Sequence, residues 1–141
     1  MIPVARIGRR HSAVGNKARS IHWLTKHRFD TPASWAIDAA QAAQWSSLGQ
    51  LPTSVQASFM ELFSTHRALA IRSSANVEDS ESSSYAGQFV SVLNVASVED
   101  VLPAIKKVIH SASTQSIKTY QETQEDGTSI EMGILVQAMV E

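Results

Sequence analysis

"IRSSANVEDSESSSYAGQF", residues 71–89, is the stretch on which the reading of this 141-residue chain turns. Its lead, Ala68-Leu69-Ala70-Ile71, has the content of a short buried strand and runs directly into Arg72. Serines and acids follow, with no bulky apolar side chain until Tyr85, and then Gly87. A guanidinium at the end of a buried strand requires a partner, because an unpaired charge near a core is costly. The residues alone leave two partners open. Glu78 or Asp79 folds back onto Arg72, or a ligand phosphate is gripped at two oxygens by the guanidinium fork. Gly87, lacking a Cβ, permits backbone N–H groups to approach a phosphate closely.

Working outward, Gln88–Val95 reads as a second strand, apolar on both faces and therefore covered on both. Asp100 caps a following helix, which places Pro103 in the first turn and turns Val101, Ile105, Val108 and Ile109 inward. A short helix is expected over Ser113–Tyr120 and a turn at Glu125-Asp126-Gly127. The last element, SIEMGILVQAMV, is a strand with Met132, Ile134, Val136, Ala138 and Val140 on one face. It carries a core to the final residue, Glu141, and so looks like a cut end.

On the N-terminal side, a helix starts near Gly15 with Asn16 as its cap and ends near His27, with Ala18, Ile21 and Leu24 recurring at spacing three. Thr31–Ile37 is extended. Asp38 caps the alanine-rich helix DAAQAAQW, which Gly49 and Pro52 close. Thr53 opens a further helix with Val55, Phe59, Leu62 and Phe63 in one apolar stripe.

The bulk composition narrows the class. Hydrophobic residues make up 43% and charged residues 18%, a globular balance. The net charge of −1 gives no basic surface for nucleic acid and no acidic tail. The absence of cysteine removes disulfides and thiolate metal sites and fits a reducing, cytoplasmic setting. No apolar run is long enough for a membrane helix, and the first residues lack a signal-peptide core.

Several chemistries fall away on spacing. His22 and His27 lie five apart, not four, with no intervening acid in the helical zinc manner, so no metal ligand is assigned. No glycine-rich turn precedes His11, and no P-loop is present, since Gly8 and Gly15 are wrongly spaced before Lys17. The serines near Glu78, Asp79 and Glu81 read as a solvated loop rather than a phosphorylation cluster.

The order of residues is more specific. IRSSANVEDSESSSYAGQFVSVLNV resembles the signature of the N-terminal nucleotide-binding domain in the pyruvate phosphate dikinase and phosphoenolpyruvate synthase family, which includes rifampin phosphotransferase. That signature runs V-R-S-S-A-x-x-E-D, then S-F-A-G-Q and an L-N-V strand. Upstream, VGNKARSIHWLTKHRFDTPASWAI is similar to the family opening G-G-K-A, helix and V-P-x-G-F strand. Downstream, ILVQAMV is similar to its V-Q-x-M-V strand.

The resemblance implies an α+β fold with a mixed or antiparallel sheet and flanking helices. It makes residues 1–141 the first lobe of an ATP-grasp fold, ending at the interlobe strand. It implies ATP as the ligand, with Lys17 and Arg72 on the phosphates and Gly87 in a loop closing over them. Ser91 holds a hydroxyl position just beyond, and Gln137, Met139 and Val140 belong to the strand along the adenine. Such enzymes move phosphate from ATP to a carrier histidine and on to an acceptor such as pyruvate or an antibiotic.

Two departures stand out: Asn16 replaces the second glycine of G-G-K, and P-x-G-F has become Pro32-Ala33-Ser34-Trp35. Asparagine tolerates left-handed backbone, so the turn before Lys17 is expected to survive. The family's magnesium-binding acids lie in a second lobe, and its phosphohistidine domain lies elsewhere. Both would be partners in cis or in trans, and the chain alone is expected to be inactive. Two other readings stay open: a non-catalytic module binding nucleotide or a partner, and an inactive truncated fragment.

Overall fold

The computed structural model describes residues 1–9, 11–76, 90–111 and 131–140. Gly87, the acids Glu78 and Asp79, the expected helix over Ser113–Tyr120 and the turn at Glu125-Asp126-Gly127 lie outside them. The described residues form an α+β fold built on a five-stranded antiparallel sheet. Its strands are β1 (Ile2–Pro3), β2 (Ser34–Ile37), β3 (Leu69–Ala75), β4 (Ser91–Val95) and β5 (Met132–Ala138), ordered β1-β2-β5-β3-β4. Among the described residues, four α-helices accompany them: α1 (Gly15–Lys26), α2 (Ala39–Leu48), α3 (Thr53–Thr65) and α4 (Val98–Ser111).

Strand alternation divides the core between the two faces of the sheet. Leu69, Ile71, Ile134, Val136 and Ile37 join Phe59 of α3, Trp45 of α2 and Val101, Ile105 and Val108 of α4 in the larger cluster. Each of these large side chains, fully buried, contributes roughly 1.5–3 kcal/mol from water exclusion. On the opposite face, Leu135 and Ala36 pack against Val14 and Ala18 at the start of α1, with Val4 and Ile7. Burial from both sides fits the nearly continuous apolar run of β5 and the apolar first half of β3, Leu69-Ala70-Ile71.

Local chemistry sets the helix ends. Asp38 caps α2 as expected, its Oδ1 accepting the Gln41 N–H at 2.7 Å. Gly49 closes α2 at φ +74°, its N–H donating to the Trp45 carbonyl at 3.0 Å. The stripe expected in the next helix is present, with Phe59 fully buried and Val55, Leu62 and Phe63 packed against the larger cluster.

Several expectations need correction. Asn16 is not a cap: α1 begins at Gly15 after Val14, and Asn16 sits in its first turn, its Nδ2 donating to the Asn76 carbonyl at 2.8 Å. Gly15, at φ +83°, takes the left-handed turn that had been assigned to Asn16. α4 starts before Asp100, whose carboxylate instead accepts from the Ser97 hydroxyl at 2.8 Å, and Pro103 therefore falls in the second turn. β4 is not covered on both faces. It is an edge strand in which Ser91, Leu93 and Asn94 are exposed, and Gln88 and Phe89 lie outside the described residues. β3 runs on past Arg72 to Ala75, because Ser73 and Ser74 continue the ladder with β5. β5 ends at Ala138, and Val140, expected on its buried face, is 76% exposed.

Candidate functional site

The strand register brings three of the candidate residues into one oblique row. Arg72 on β3 lies directly opposite Ser91 on the edge strand β4. Gln137 on β5 lies opposite both Ala70 of β3 and Ser34 of β2. Residues directly opposite in an antiparallel pair share a face, as do residues two apart along a strand. Ser34, Gln137, Arg72 and Ser91 therefore stand together across four strands, on the face that α1 covers in part.

Side-chain hydrogen bonds join most of this row. Arg72 Nη1 donates to Gln137 Oε1 at 2.8 Å. Gln137 Nε2 donates to Ser34 Oγ at 3.1 Å, and Ser34 Oγ donates to the Pro32 carbonyl at 2.8 Å. Gln137 is buried, so both ends of its amide need partners, and both have one. Arg72 is half-buried, and among the described residues its hydrogen-bond partner is this neutral amide rather than a carboxylate. The guanidinium has further N–H donors beside the one Gln137 takes.

Lys17 stands in the first turn of α1. The next residue, Ala18, donates its N–H to Ser74 Oγ at 2.9 Å, and Ser74 lies two residues beyond Arg72 on the same face of β3. This seating depends on glycine. A Cβ on Gly15 would lie 1.6 Å from the Ser74 carbonyl oxygen, and one on Gly133 would lie 2.6 Å from the Val14 carbonyl oxygen. Asn76 adds a tie at the far end of β3: its Oδ1 accepts the Glu131 N–H at 3.1 Å while its carbonyl accepts from Asn16. The start of α1, with Lys17, is thereby fixed against β3 and β5.

Met139 and Val140 lie apart from the row, just beyond β5. The Met139 N–H donates to the Ala68 carbonyl at 3.0 Å, which continues the pairing with the approach to β3. Both residues line an open cleft of about 630 Å³, whose walls include His66, Arg67, Ala68 and Asn94. His66 meets the Trp35 ring edge-on at a centroid distance of 5.8 Å. Asn94 takes a left-handed conformation, φ +59°, where the register of β4 against β3 shifts. Ser34, His66 and Arg67 were not among the candidates from sequence. The serine stood out only as a departure from a glycine motif, and nothing distinguished His66 and Arg67 from an ordinary helix end.

A half-buried arginine, a helix start carrying a lysine and a cleft at a strand end suit a polyanion attached to a flat apolar group. The family comparison agrees. Residues 16–141 match the family model described as the pyruvate phosphate dikinase AMP/ATP-binding domain. The chain belongs to this family. An uncharacterized phosphotransferase, YvkC, of Bacillus subtilis is 26% identical over 90% of the chain and 18% of its own length. A rifampicin phosphotransferase of Streptomyces is 35% identical over 72% of the chain and 12% of its own length. A phosphoenolpyruvate synthase of Pseudomonas aeruginosa is 33% identical over 54% of the chain and 10% of its own length. The chain thus spans less than a fifth of each of these relatives.

Family membership raises the question of a metal beside the nucleotide. Among the described residues of this pyruvate phosphate dikinase AMP/ATP-binding domain, no group of three or more His, Asp or Glu side chains could hold an ion. His22 and His27 are separately engaged, their Nδ1 atoms at 2.8 Å from the carbonyls of Val4 and Trp23. The described residues do not fit a magnesium site. Among them, no helix is long and apolar enough to cross a membrane.

Proposed function

We propose that this chain supplies one side of an ATP site, as the first lobe of an ATP-grasp phosphotransferase. The observation that carries the reading is Arg72, held on a sheet face by a neutral amide, within a chain that matches an AMP/ATP-binding family model. Among the described residues the partner is an amide rather than a carboxylate, and an amide orients the guanidinium without neutralising it, which suits a ligand phosphate. Lys17 adds a second cation and Ser91 a hydroxyl on the neighbouring strand. Met139 and Val140, in the cleft beyond β5, receive the adenine.

Transfer of a phosphoryl group needs positioned positive charge and exclusion of water more than covalent chemistry from the protein. This lobe supplies part of the charge. In this reading the magnesium ligands come from a second lobe and the carrier histidine from a further domain, in cis or in trans. The acceptor is then a small molecule such as pyruvate or an antibiotic, in keeping with the names of the relatives. Alone, the chain binds ATP without turning it over.

Amide-resolved NMR during addition of ATP tests the placement. Shifts concentrated at Lys17, Arg72, Ser91 and Gln137 through Val140 are expected. Shifts confined to other surfaces, or none at millimolar ATP, would overturn it.

A further inference from the structure

Ser34 occupies the end of the hydrogen-bonded row, on β2, and nothing in the nucleotide reading requires it to touch ATP. Its hydroxyl carries a single proton. That proton goes to the Pro32 carbonyl at 2.8 Å, so toward Gln137 the Ser34 oxygen can only accept. It therefore takes the Nε2 end of the Gln137 amide, at 3.1 Å. The Oε1 end is then turned toward Arg72, whose Nη1 donates to it at 2.8 Å. The guanidinium has no acceptor, so it enforces the same amide orientation from the other side. Because Gln137 is only 5% exposed, bulk water does not readily replace either bond.

We infer that Ser34 is a positioning residue for the phosphate-binding arginine, acting through Gln137. The inference rests on the proposed role of Arg72 and extends it. Ser34 selects one amide orientation, the amide selects one guanidinium rotamer, and the free edge of the guanidinium is presented ready-made to an anionic ligand of the phosphate class. A long arginine side chain otherwise gives up considerable rotamer freedom on binding, and fixing it beforehand strengthens binding. Without the hydroxyl, the amide loses one of its two anchors, and the guanidinium it carries is held less firmly in its ligand-ready position.

The test is isothermal titration with ATP of the wild-type chain, Ser34→Ala and Ser34→Thr, with thermal melting of each. Ser34→Ala is expected to weaken ATP binding roughly three- to tenfold, the range for one lost hydrogen bond. Ser34→Thr keeps the hydroxyl in a residue suited to a strand and should restore binding to near the wild-type value. In an Arg72→Lys background, Ser34→Ala should have little further effect, because the fork it positions is gone. A purely structural role would lower melting temperature without this dependence on Arg72. Should Ser34→Ala fail to fold, Ser34→Cys, of similar size but with a weak S–H donor, takes its place with the same expectation. Arg72-dependent ATP binding that is unchanged by Ser34→Ala, or weakened equally by Ala and Thr, overturns the role of Ser34 alone. A wild-type chain that binds no ATP, or binds it regardless of Arg72→Ala, overturns the site reading and this inference together.

Discussion

Gly15 meets Ser74 so closely that a Cβ on the glycine would lie 1.6 Å from the serine carbonyl oxygen. No side chain fits there, and the φ of +83° is unfavourable for any residue but glycine. The contact is what lets the first turn of α1, with Lys17, rest directly on β3.

Gly15→Ala should therefore destabilise the fold by about 3 kcal/mol or more, since backbone has to move as well as bend. Gly49 is the internal control. It also has a positive φ, +74°, but nothing lies within 4 Å of its missing Cβ. Gly49→Ala should cost about 1 kcal/mol, the conformational term alone. Urea unfolding of both variants checks this, and equal losses would contradict the close-packed seating of α1.

Asp38→Ala should cost about 1 kcal/mol by removing the cap on the Gln41 N–H, and Asp38→Asn should retain most of that stability. Thermal melts of the two variants are sufficient. ATP binding should follow stability only, because Asp38 starts α2 on the face opposite Arg72.

Gln137→Glu separates the structural from the ligand-binding value of Arg72. A carboxylate at this position pairs with the guanidinium but has no N–H for Ser34 Oγ, so the new ion pair is offset by the lost bond and the fold should lose no more than about 1–2 kcal/mol. The same pairing neutralises the charge intended for phosphate, and ATP affinity should fall roughly tenfold or more. Parallel melting and titration separate the small effect on the fold from the larger one on binding. A variant that binds ATP as tightly as wild type would show that Arg72 does not carry the phosphate contact.

How much of this was legible from sequence depends on whether the deciding interaction is local. Asp38, Gly49 and the stripe of α3 are local signals, and each appears where the pattern puts it. The ends of β3 and α4 were misplaced because partners elsewhere decide them: β5 extends β3 to Ala75, and Ser97 takes Asp100 into the first turn of α4. The burial of β4 was overestimated because an edge strand can carry the same apolar pattern as a central one. At the site, the resemblance named Arg72, Ser91 and Gln137, and the register places them in one row. The bond from Gln137 to Ser34 was invisible, since the two residues lie 103 positions apart. Gly15 rather than Asn16 bears the left-handed turn because the helix has to approach Ser74 at that point.

Titration of this chain with ATP, with and without magnesium, beside Arg72→Ala of verified fold, tests the central claim most directly. The account predicts weak binding, reduced roughly tenfold or more by Arg72→Ala and little altered by magnesium. Binding indifferent to Arg72→Ala, or strengthened strongly by magnesium, would contradict a half-site built on this arginine.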